Sequence, residues 1–295
     1  MKKNILISLL FFSIVCIVNA QVSNKRKTDV ETDGLKGKVK QVKYYYKSEQ
    51  IFGEINQDNI EDKNLKSVKK YDDRGNLIEE CLYDSTGSLY LKETFRYDVS
   101  WNKIEENHYN SDGISKSSYK YDDKGNMIEL NGYNADGSSW GNATYKYDEM
   151  GNRIEESNYS KVGYLSLKIT YKYDNMGNMI EQNRYESDGS LESEYKETYK
   201  YDIKGNKIEE NQGGFKQVYQ YDNKGNLILI INNDLDGNLY VSKLFYDNKG
   251  NCTKDEIGNT HKYDNYDTQG NWTKDTITFY GENYIIIRKI EYYTK

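Results

Sequence analysis

The chain carries few side chains of the kinds that catalyse reactions. It has two histidines, His108 and His261, and no nucleophile motif lies beside either of them. Acidic side chains are plentiful, and a pair of carboxylates is what a glycosidase requires, but pairing between strands explains the recurring glutamates better. We therefore predict that the protein is not an enzyme and that it uses no cofactor.

One segment has the beginnings of a calcium loop. Asn232, Asp234, Asp236 and Gly237 match the first half of an EF-hand loop, but its twelfth position is Lys243 instead of a bidentate glutamate. No helices are expected on either side of it, and a hairpin turn accounts for the same residues. The sequence therefore predicts no metal site.

A row of tyrosines is the better candidate for binding. One tyrosine recurs in each of five units, just before the second of the unit's two turns. These residues are Tyr83, Tyr109, Tyr133, Tyr159 and Tyr185. Units two strands apart would space them about 10 Å along a sheet, where they could stack on sugar rings or anchor a protein. The alternative is that they cover the turns or pack when the sheet curls over.

The elements that must position these tyrosines form a sequence repeat. The motif Tyr-Asp-x-x-Gly-Asn recurs every 20 to 28 residues, and a period of this length indicates a repeat architecture. The motif starts at Tyr71, Tyr121, Tyr147, Tyr173, Tyr201 and Tyr221, with variants at Tyr97, Tyr246 and Tyr266. Trp101 replaces the glycine in one variant, where we expect it to fill the gap by packing. Each unit has a second turn, such as Asn134 to Gly137, so each unit predicts a β-hairpin.

Alternation along the strands assigns residues to two faces. Tyr119 and Tyr121 share one side, and we place Ile128 on that side across the turn, whereas Lys120 and Glu129 point the other way. The same pattern recurs in the following units. It predicts one apolar face of Tyr and Ile, which must be covered by other parts of the protein. It also predicts one solvent-exposed face, where Lys and Glu pair across strands and fix the register.

The predicted fold class is all-β: a long antiparallel meander of repeated β-hairpins in a curled or spiralling open sheet. A closed barrel or a propeller is the alternative, and the uneven repeat lengths count against it. The chain contains no proline, which suits strands that must pair on both edges.

The first twenty residues have the pattern of a secretory signal peptide. Lys2 and Lys3 precede an apolar run, and small residues near Ala20 mark a cleavage site. We predict export to the periplasm, the cell surface or the extracellular space. The remaining segments are then a polar leader (21–33), N-terminal capping strands (34–70), the repeat sheet (71–276) and a C-terminal capping strand (277–295).

Charge and composition exclude several partners. Cleavage would remove two basic side chains, leaving 39 against 47 acidic ones, and such a surface repels nucleic acid and anionic lipid. The mature chain contains no further apolar run that could serve as an integral membrane segment. Its two cysteines, Cys81 and Cys252, lie in distant units, so we predict no disulfide.

The motif resembles the YD repeat of the RHS-type repeat proteins, which occur mainly on bacterial surfaces and among secreted bacterial proteins. The resemblance covers residues 71 to 271. It implies a spiralling β-sheet and, for some members, carbohydrate binding. Large members form a shell around a toxin, but a shell needs far more sheet than this, so we do not expect that role. The chain also departs from the family by placing Asn after the glycine, where the family favours Arg.

The sequence thus predicts a non-enzymatic β-repeat protein that acts as a binding or adhesion module for glycan or envelope material. The alternative is a structural or interaction element that pairs with another secreted or envelope protein.

Overall fold

The computed structural model describes residues 28–48, 57–58, 60–255, 257–279 and 282–294. The predicted signal peptide and residues 21–27 of the predicted leader lie outside them. Within these residues the chain forms a one-turn α-helix, α1 (Asp29–Thr32), and twenty-one strands. The strands are β1 (Val39–Ser48), β2 (Leu65–Tyr71), β3 (Leu77–Tyr83), β4 (Leu89–Tyr97), β5 (Lys103–Asn110), β6 (Gly113–Tyr121), β7 (Met127–Tyr133), β8 (Ser139–Tyr147), β9 (Arg153–Ser160), β10 (Leu165–Tyr173), β11 (Met179–Glu186), β12 (Glu197–Tyr201), β13 (Lys207–Gln212), β14 (Phe215–Tyr221), β15 (Leu227–Asn233), β16 (Leu239–Lys243), β17 (Phe245–Tyr246), β18 (Cys252–Lys254), β19 (Thr260–Tyr266), β20 (Trp272–Phe279) and β21 (Glu282–Tyr292).

These strands form a single antiparallel meander, as predicted. Each strand from β1 to β15 pairs with the next one along the chain. Leu244 joins β16 to β17 and donates its N–H to the carbonyl of Ile228 on β15. From β17 the pairing continues through β18, β19 and β20 to β21.

The sheet curls until its two ends meet. β21 pairs with β1 along most of its length, from Val39 opposite Tyr292 to Ser48 opposite Tyr284. The first and last strands therefore protect each other, where the sequence suggested an open sheet with two separately capped ends. Uneven repeat lengths do not prevent this, because each hairpin adds two strands whatever the length of its turn.

The motif turn explains why Asp, Gly and Asn recur together. In the unit at Asp148, the Asp N–H donates to the Asn152 carbonyl, and the Gly151 N–H donates to the Asp148 carbonyl. One Asp148 carboxylate oxygen accepts the N–H groups of Met150 and Asn152, and the other accepts the Asn152 side-chain amide at 2.9 Å. Gly151 has φ 85°, a conformation that costs little only without a Cβ. The Asn side chain thus completes the turn.

Trp101 takes the place of the turn glycine in one unit and adopts the same conformation. Its φ is 68°, and its N–H donates to the Asp98 carbonyl as the glycines do. The Arg74 guanidinium lies 3.5 Å from the centre of its ring. The tryptophan therefore packs against the neighbouring turn, in agreement with the predicted packing role.

The motif tyrosine ties each unit to the one before it. The hydroxyl of Tyr173 donates to the Arg153 carbonyl at 2.7 Å, and that acceptor directly follows the Asn of the previous turn. The same bond joins Tyr97 to Leu77, Tyr121 to Lys103, Tyr147 to Met127, Tyr201 to Met179, Tyr221 to Lys207 and Tyr246 to Leu227. The hydroxyl of Tyr293 also donates to a main-chain carbonyl, that of Tyr71 at 2.7 Å, and this bond crosses the junction between the two ends of the sheet.

The two faces differ as predicted, with one exception. Lys120 pairs with Glu129 across the hairpin and is well exposed, whereas Tyr119 and Tyr121 are partly buried. Ile128 does not lie opposite these tyrosines as predicted. A β-bulge leaves it without a cross-strand partner and 38% exposed, and Met127 pairs with Tyr121 in its place.

The larger apolar clusters lie where the ends of the sheet meet. Val30 and Leu35 pack with Val39, Val42 and Tyr71 on one side. A second cluster joins Tyr45, Ile60, Ile285 and Ile287. Part of the segment predicted as a polar leader therefore contributes to the core, because Val30 in α1 is buried against the sheet. The capping box of α1, formed by Thr28 and Glu31, holds this turn in place.

Two further observations concern the expected absences. Cys81 and Cys252 are both buried and free, in agreement with the prediction of no disulfide. Within the described residues, every helix falls short of the length and apolar character that crossing a membrane would need.

The tyrosine bond between units can be tested with Tyr173→Phe. We expect the free energy of unfolding to fall by about 1 kcal/mol, the usual net contribution of such a hydrogen bond. Urea unfolding followed by circular dichroism measures this. Tyr159→Phe is the control, since Tyr159 is similarly exposed but lies outside the motif. Equal losses in both variants would contradict the proposed role of the motif hydroxyl.

Candidate functional site

All five predicted tyrosines lie at the same edge of the sheet, on every second strand from β3 to β11. Each is partly exposed. Alternation places Tyr133 on the face of Glu129, as predicted, because Asn131 and Tyr133 follow that glutamate at every second position of β7. The structure therefore brings the tyrosines together as a row along one face, next to the second turns.

The structure adds aliphatic partners to this row. Four of the five tyrosines lie directly opposite a Leu or Ile that follows the second turn of the unit. These pairs are Tyr83 with Leu89, Tyr109 with Ile114, Tyr159 with Leu165 and Tyr185 with Leu191. Cross-strand partners share a face, and Leu89, Ile114 and Leu191 are each about half exposed. We call these nine residues, the five tyrosines and four aliphatic partners, the tyrosine strip.

The fifth tyrosine has a different neighbour. Tyr133 lies opposite Ser139, and a bulge at this point leaves Trp140 half exposed. The Trp140 indole covers Gly132 so closely that a Cβ there would overlap the ring. Because Gly132 and Tyr133 are successive residues of β7, the ring over Gly132 lies on the face opposite the strip, and only glycine at 132 leaves room for it.

A charged ladder runs beside the strip on the same face. The predicted pairs of Lys120 with Glu129 and Lys146 with Glu155 are present at 2.9 and 2.7 Å. The sequence analysis missed that most of these glutamates bind a second cation from the strand on the other side. Glu155, for example, also binds Lys168 at 2.7 Å. Bonds from Lys172 and Asn183 lower the pKa of Glu181 to about 2. Where a glutamate binds two cations, as Glu155 does, the ladder carries more positive than negative side chains.

The opposite face carries a repeated arrangement that sequence reasoning missed. Lys103, Arg153 and Lys207 each follow a motif Asn, and each lies between two aromatic rings while pairing with a glutamate. Arg153 lies 5.4 and 5.0 Å from the ring centres of Tyr145 and Tyr171 and pairs with Glu156 at 3.2 Å. These cations are therefore engaged in packing. Their recurrence at one position of the motif was the available signal.

The two histidines are each placed between two carboxylates. His108 lies on β5 with its Nδ1 2.7 Å from Glu93 and its Nε2 3.0 Å from Glu106. Among the described residues, these three side chains form the one group whose ligand atoms converge closely enough to hold a metal ion. The sequence did not reveal it, because Glu93 comes from a different strand.

His261 is buried, with its Nδ1 3.0 Å from Asp275 and its Nε2 3.6 Å from Asp255. Burial alone would lower the pKa of His261, but the hydrogen bond to Asp275 and the charges of Asp255 and Asp275 outweigh burial and raise the pKa to about 9. The imidazolium between β19 and β20 is therefore a stabilising element where β18 and β19 pair only briefly, at Lys254 and Thr260.

The segment that resembles a calcium loop forms a hairpin turn. One Asp234 carboxylate oxygen accepts the N–H groups of Asp236 and Asn238, as in the motif turns. Lys243 lies at the end of β16. These contacts agree with the interpretation of this segment as a turn.

No protein-family model matches the chain, and no curated protein matches it either. Solved structures with related folds include a Tc holotoxin pore from Photorhabdus luminescens. It is 14% identical over 72% of this chain and 14% of its own, with a TM-score of 0.36. The TcdB2-TccC3-Cdc42 complex is 15% identical over 79% of this chain and 14% of its own, with a TM-score of 0.31.

A porin-like protein from Bacteroides uniformis is also similar. It is 11% identical over 87% of this chain and 99% of its own, with a TM-score of 0.37. Likenesses of this size carry no argument about function. This chain spans only a small part, 14%, of the toxin chains that it matches.

The charge on His261 predicts a pH dependence of stability. A raised pKa means that the stabilisation is fully present below the ordinary value near pH 6.5 and is lost as the pH rises through about 9. We expect the melting temperature to fall by a few degrees between these values. His261→Gln should remove this slope while Lys262→Gln, an exposed neighbour, retains it. The same slope in both variants would contradict the assignment.

Proposed function

We propose that this chain is an exported, non-enzymatic β-repeat module that binds a neutral glycan of the envelope or its surroundings through the tyrosine strip. The observation that carries the proposal is the strip itself. Five partly exposed tyrosines stand on alternate strands, about 10 Å apart, and four of them lie opposite an aliphatic side chain. A row of regularly spaced flat rings suits a polymer with a regular repeat.

The chemistry of the strip favours sugars that carry no charge. Sugar rings have C–H faces that stack on aromatic rings, and the hydroxyl of tyrosine adds a hydrogen-bonding group at the edge. The lysines beside the strip, such as Lys116 and Lys168, are already paired with glutamates. The chain as a whole has an excess of acidic side chains, which repels a polyanion at long range.

Two features of the sequence place the module outside the cytoplasm. The N-terminal pattern is typical of a secretory signal, and the repeat resembles the YD repeat of RHS-type proteins, some of which bind carbohydrate. Both support an exported binding or adhesion role. The side chains that recur in the repeat are occupied in turns, strand pairing and packing, which supports a role without catalysis.

Glycan arrays and polysaccharide pull-down with the mature protein test the proposal. Replacing Tyr109, Tyr133 and Tyr159 together by alanine should weaken binding at least about tenfold, because each stacked ring contributes about 0.5–1.5 kcal/mol beyond its burial. The control replaces Lys120, Lys146 and Lys172, exposed on the same face, by alanine and should bind normally. Circular dichroism checks that both variants fold. Absence of glycan binding, or binding unchanged in the tyrosine variant, would contradict the proposal.

One observation favours a second function, pairing with another secreted or envelope protein. β16 pairs with β15 on one side, and no strand in the described part of the chain pairs with its other edge. Its residues Leu239, Tyr240 and Val241 are all more than half exposed. A strand edge with free main-chain groups and apolar side chains is a template for adding a strand from a partner.

Charged side chains on β16 should prevent a partner strand from pairing with its edge. We expect a photo-crosslinker at position 239 to join the protein to a partner chain or a second copy in its native host, and Tyr240→Lys with Val241→Lys to abolish the crosslink. Ile203→Lys is the matched control, because Ile203 is 94% exposed in a turn away from this edge. A protein that sediments as a monomer and gives no crosslink would exclude this function.

A further inference from the structure

The histidine on β5 belongs to a cluster of acidic side chains that spans three neighbouring strands. His108 and Glu106 lie two residues apart on β5 and so share a face. Glu93 on β4 is the direct cross-strand partner of His108, and Glu80 on β3 is the direct partner of Glu93. Three carboxylates and one imidazole therefore meet on the face opposite the tyrosine strip.

This cluster is a departure from the repeat. Other units have Gly132, Asn158 and Arg184 at the position of His108, and Ser117, Ala143 and Ile169 at the position of Glu93. The packing of the repeat is achieved in those units without either residue. Turn formation and strand pairing therefore do not explain why this unit carries an imidazole opposite a glutamate.

The geometry suits a metal ion. One ligand atom from each of Glu93, Glu106 and His108 lies within 4.8 Å of the other two. The side chains are partly shielded, with exposed fractions of 21, 15 and 33%, so an ion and a water molecule can reach them. Zinc sites of this kind have three protein ligands, each a nitrogen or an oxygen, and a fourth position that is open to water.

Other side chains already orient one of the ligands. The Oε2 atom of Glu106 accepts bonds from the Lys103 ammonium at 2.6 Å and the Tyr119 hydroxyl at 2.8 Å. These two donors leave Oε1 facing His108. Bonds to the second oxygen of a carboxylate ligand are typical of metal sites, because they fix the ligand's direction.

The neighbouring strand supplies an electrostatic reason for a cation. Glu80 and Glu93 face each other directly, and like charges in this position destabilise a sheet. Lys69 is the cross-strand partner of Glu80 on the other side. Lys69 is itself bonded to both carboxylate oxygens of Asp33 at 3.0 Å. A divalent ion beside Glu93 would offset the repulsion between the two glutamates.

We propose that Glu93, Glu106 and His108 form a binding site for one Zn²⁺ ion, with Lys103 and Tyr119 holding Glu106 in place. The lone pair of one unprotonated ring nitrogen of His108 coordinates the ion. An imidazole ligand selects zinc over Mg²⁺ and Ca²⁺, which prefer oxygen ligands.

Calorimetric titration of the mature protein with Zn²⁺ tests the site. We expect a single site, no comparable binding of Mg²⁺, and a loss of affinity of at least about tenfold in His108→Gln and in Glu93→Gln, since each removes a ligand. Glu105→Gln is the control, because Glu105 lies on the same strand but faces the ladder, where it pairs with Lys116 at 2.7 Å. Its affinity for zinc should match that of the unchanged protein.

A second measurement covers the case in which a variant folds poorly. In the unchanged protein, zinc should shift the NMR signals of the His108 ring and leave those of buried His261 in place. The proposal would be overturned if His108→Gln bound zinc as tightly as the unchanged protein does, or if zinc shifted only the signals of His261. His108 would then be an ion-paired histidine without a metal. Failure of glycan binding in the tyrosine variant has no bearing on this outcome, since the two sites lie on opposite faces.

Discussion

The hydrogen bond that most motif tyrosines donate to the main chain of the preceding unit is the interaction on which the rest of the structure depends. Apolar clusters concentrate where the ends of the sheet meet and around Ile230, Leu244 and Cys252. In the long middle of the sheet, the units are therefore held by polar contacts as well as by packing. Tyr147 and Tyr173 show the pattern, since each hydroxyl reaches back across one hairpin. Such nearest-neighbour bonds are how a repeat array gains cooperativity.

Pairing between the first and last strands protects the strand edges that the repeat alone would leave exposed. A linear stack leaves two strand edges exposed to pairing with other chains. Here β1 and β21 pair with each other, and the Tyr293 hydroxyl donates to the Tyr71 carbonyl on β2 across the junction. The junction is therefore held by strand pairing and by a tyrosine bond to the main chain. The strands are least regularly paired from β16 to β19, and β18 and β19 share a single residue pair.

Local chemistry made much of this fold predictable. Asp-x-x-Gly-Asn specifies a turn within six residues, and alternation then places Lys120 opposite Glu129, so the ladder and the faces follow from the sequence. Contacts between distant parts of the chain could not be predicted in this way. The pairing of β1 with β21 joins residues about 250 positions apart, which no local signal encodes. Ile128 was misplaced for a related reason, because the alternation was counted through a bulge that only the paired strand reveals.

The two candidate sites also differ in how far the local sequence predicts them. The tyrosines of the strip recur with the repeat and could be found from their period, although their aliphatic partners could not, since Leu89 or Leu191 becomes a partner only through register. The histidine cluster depends on Glu93 lying opposite His108 and occurs once. A feature repeated in every unit suits a ligand that is itself repetitive, because neighbouring subsites are engaged together and weak contacts combine. A feature confined to one unit suits a single small ligand. The repeat therefore provides an extended surface on one face and leaves the other free to specialise locally.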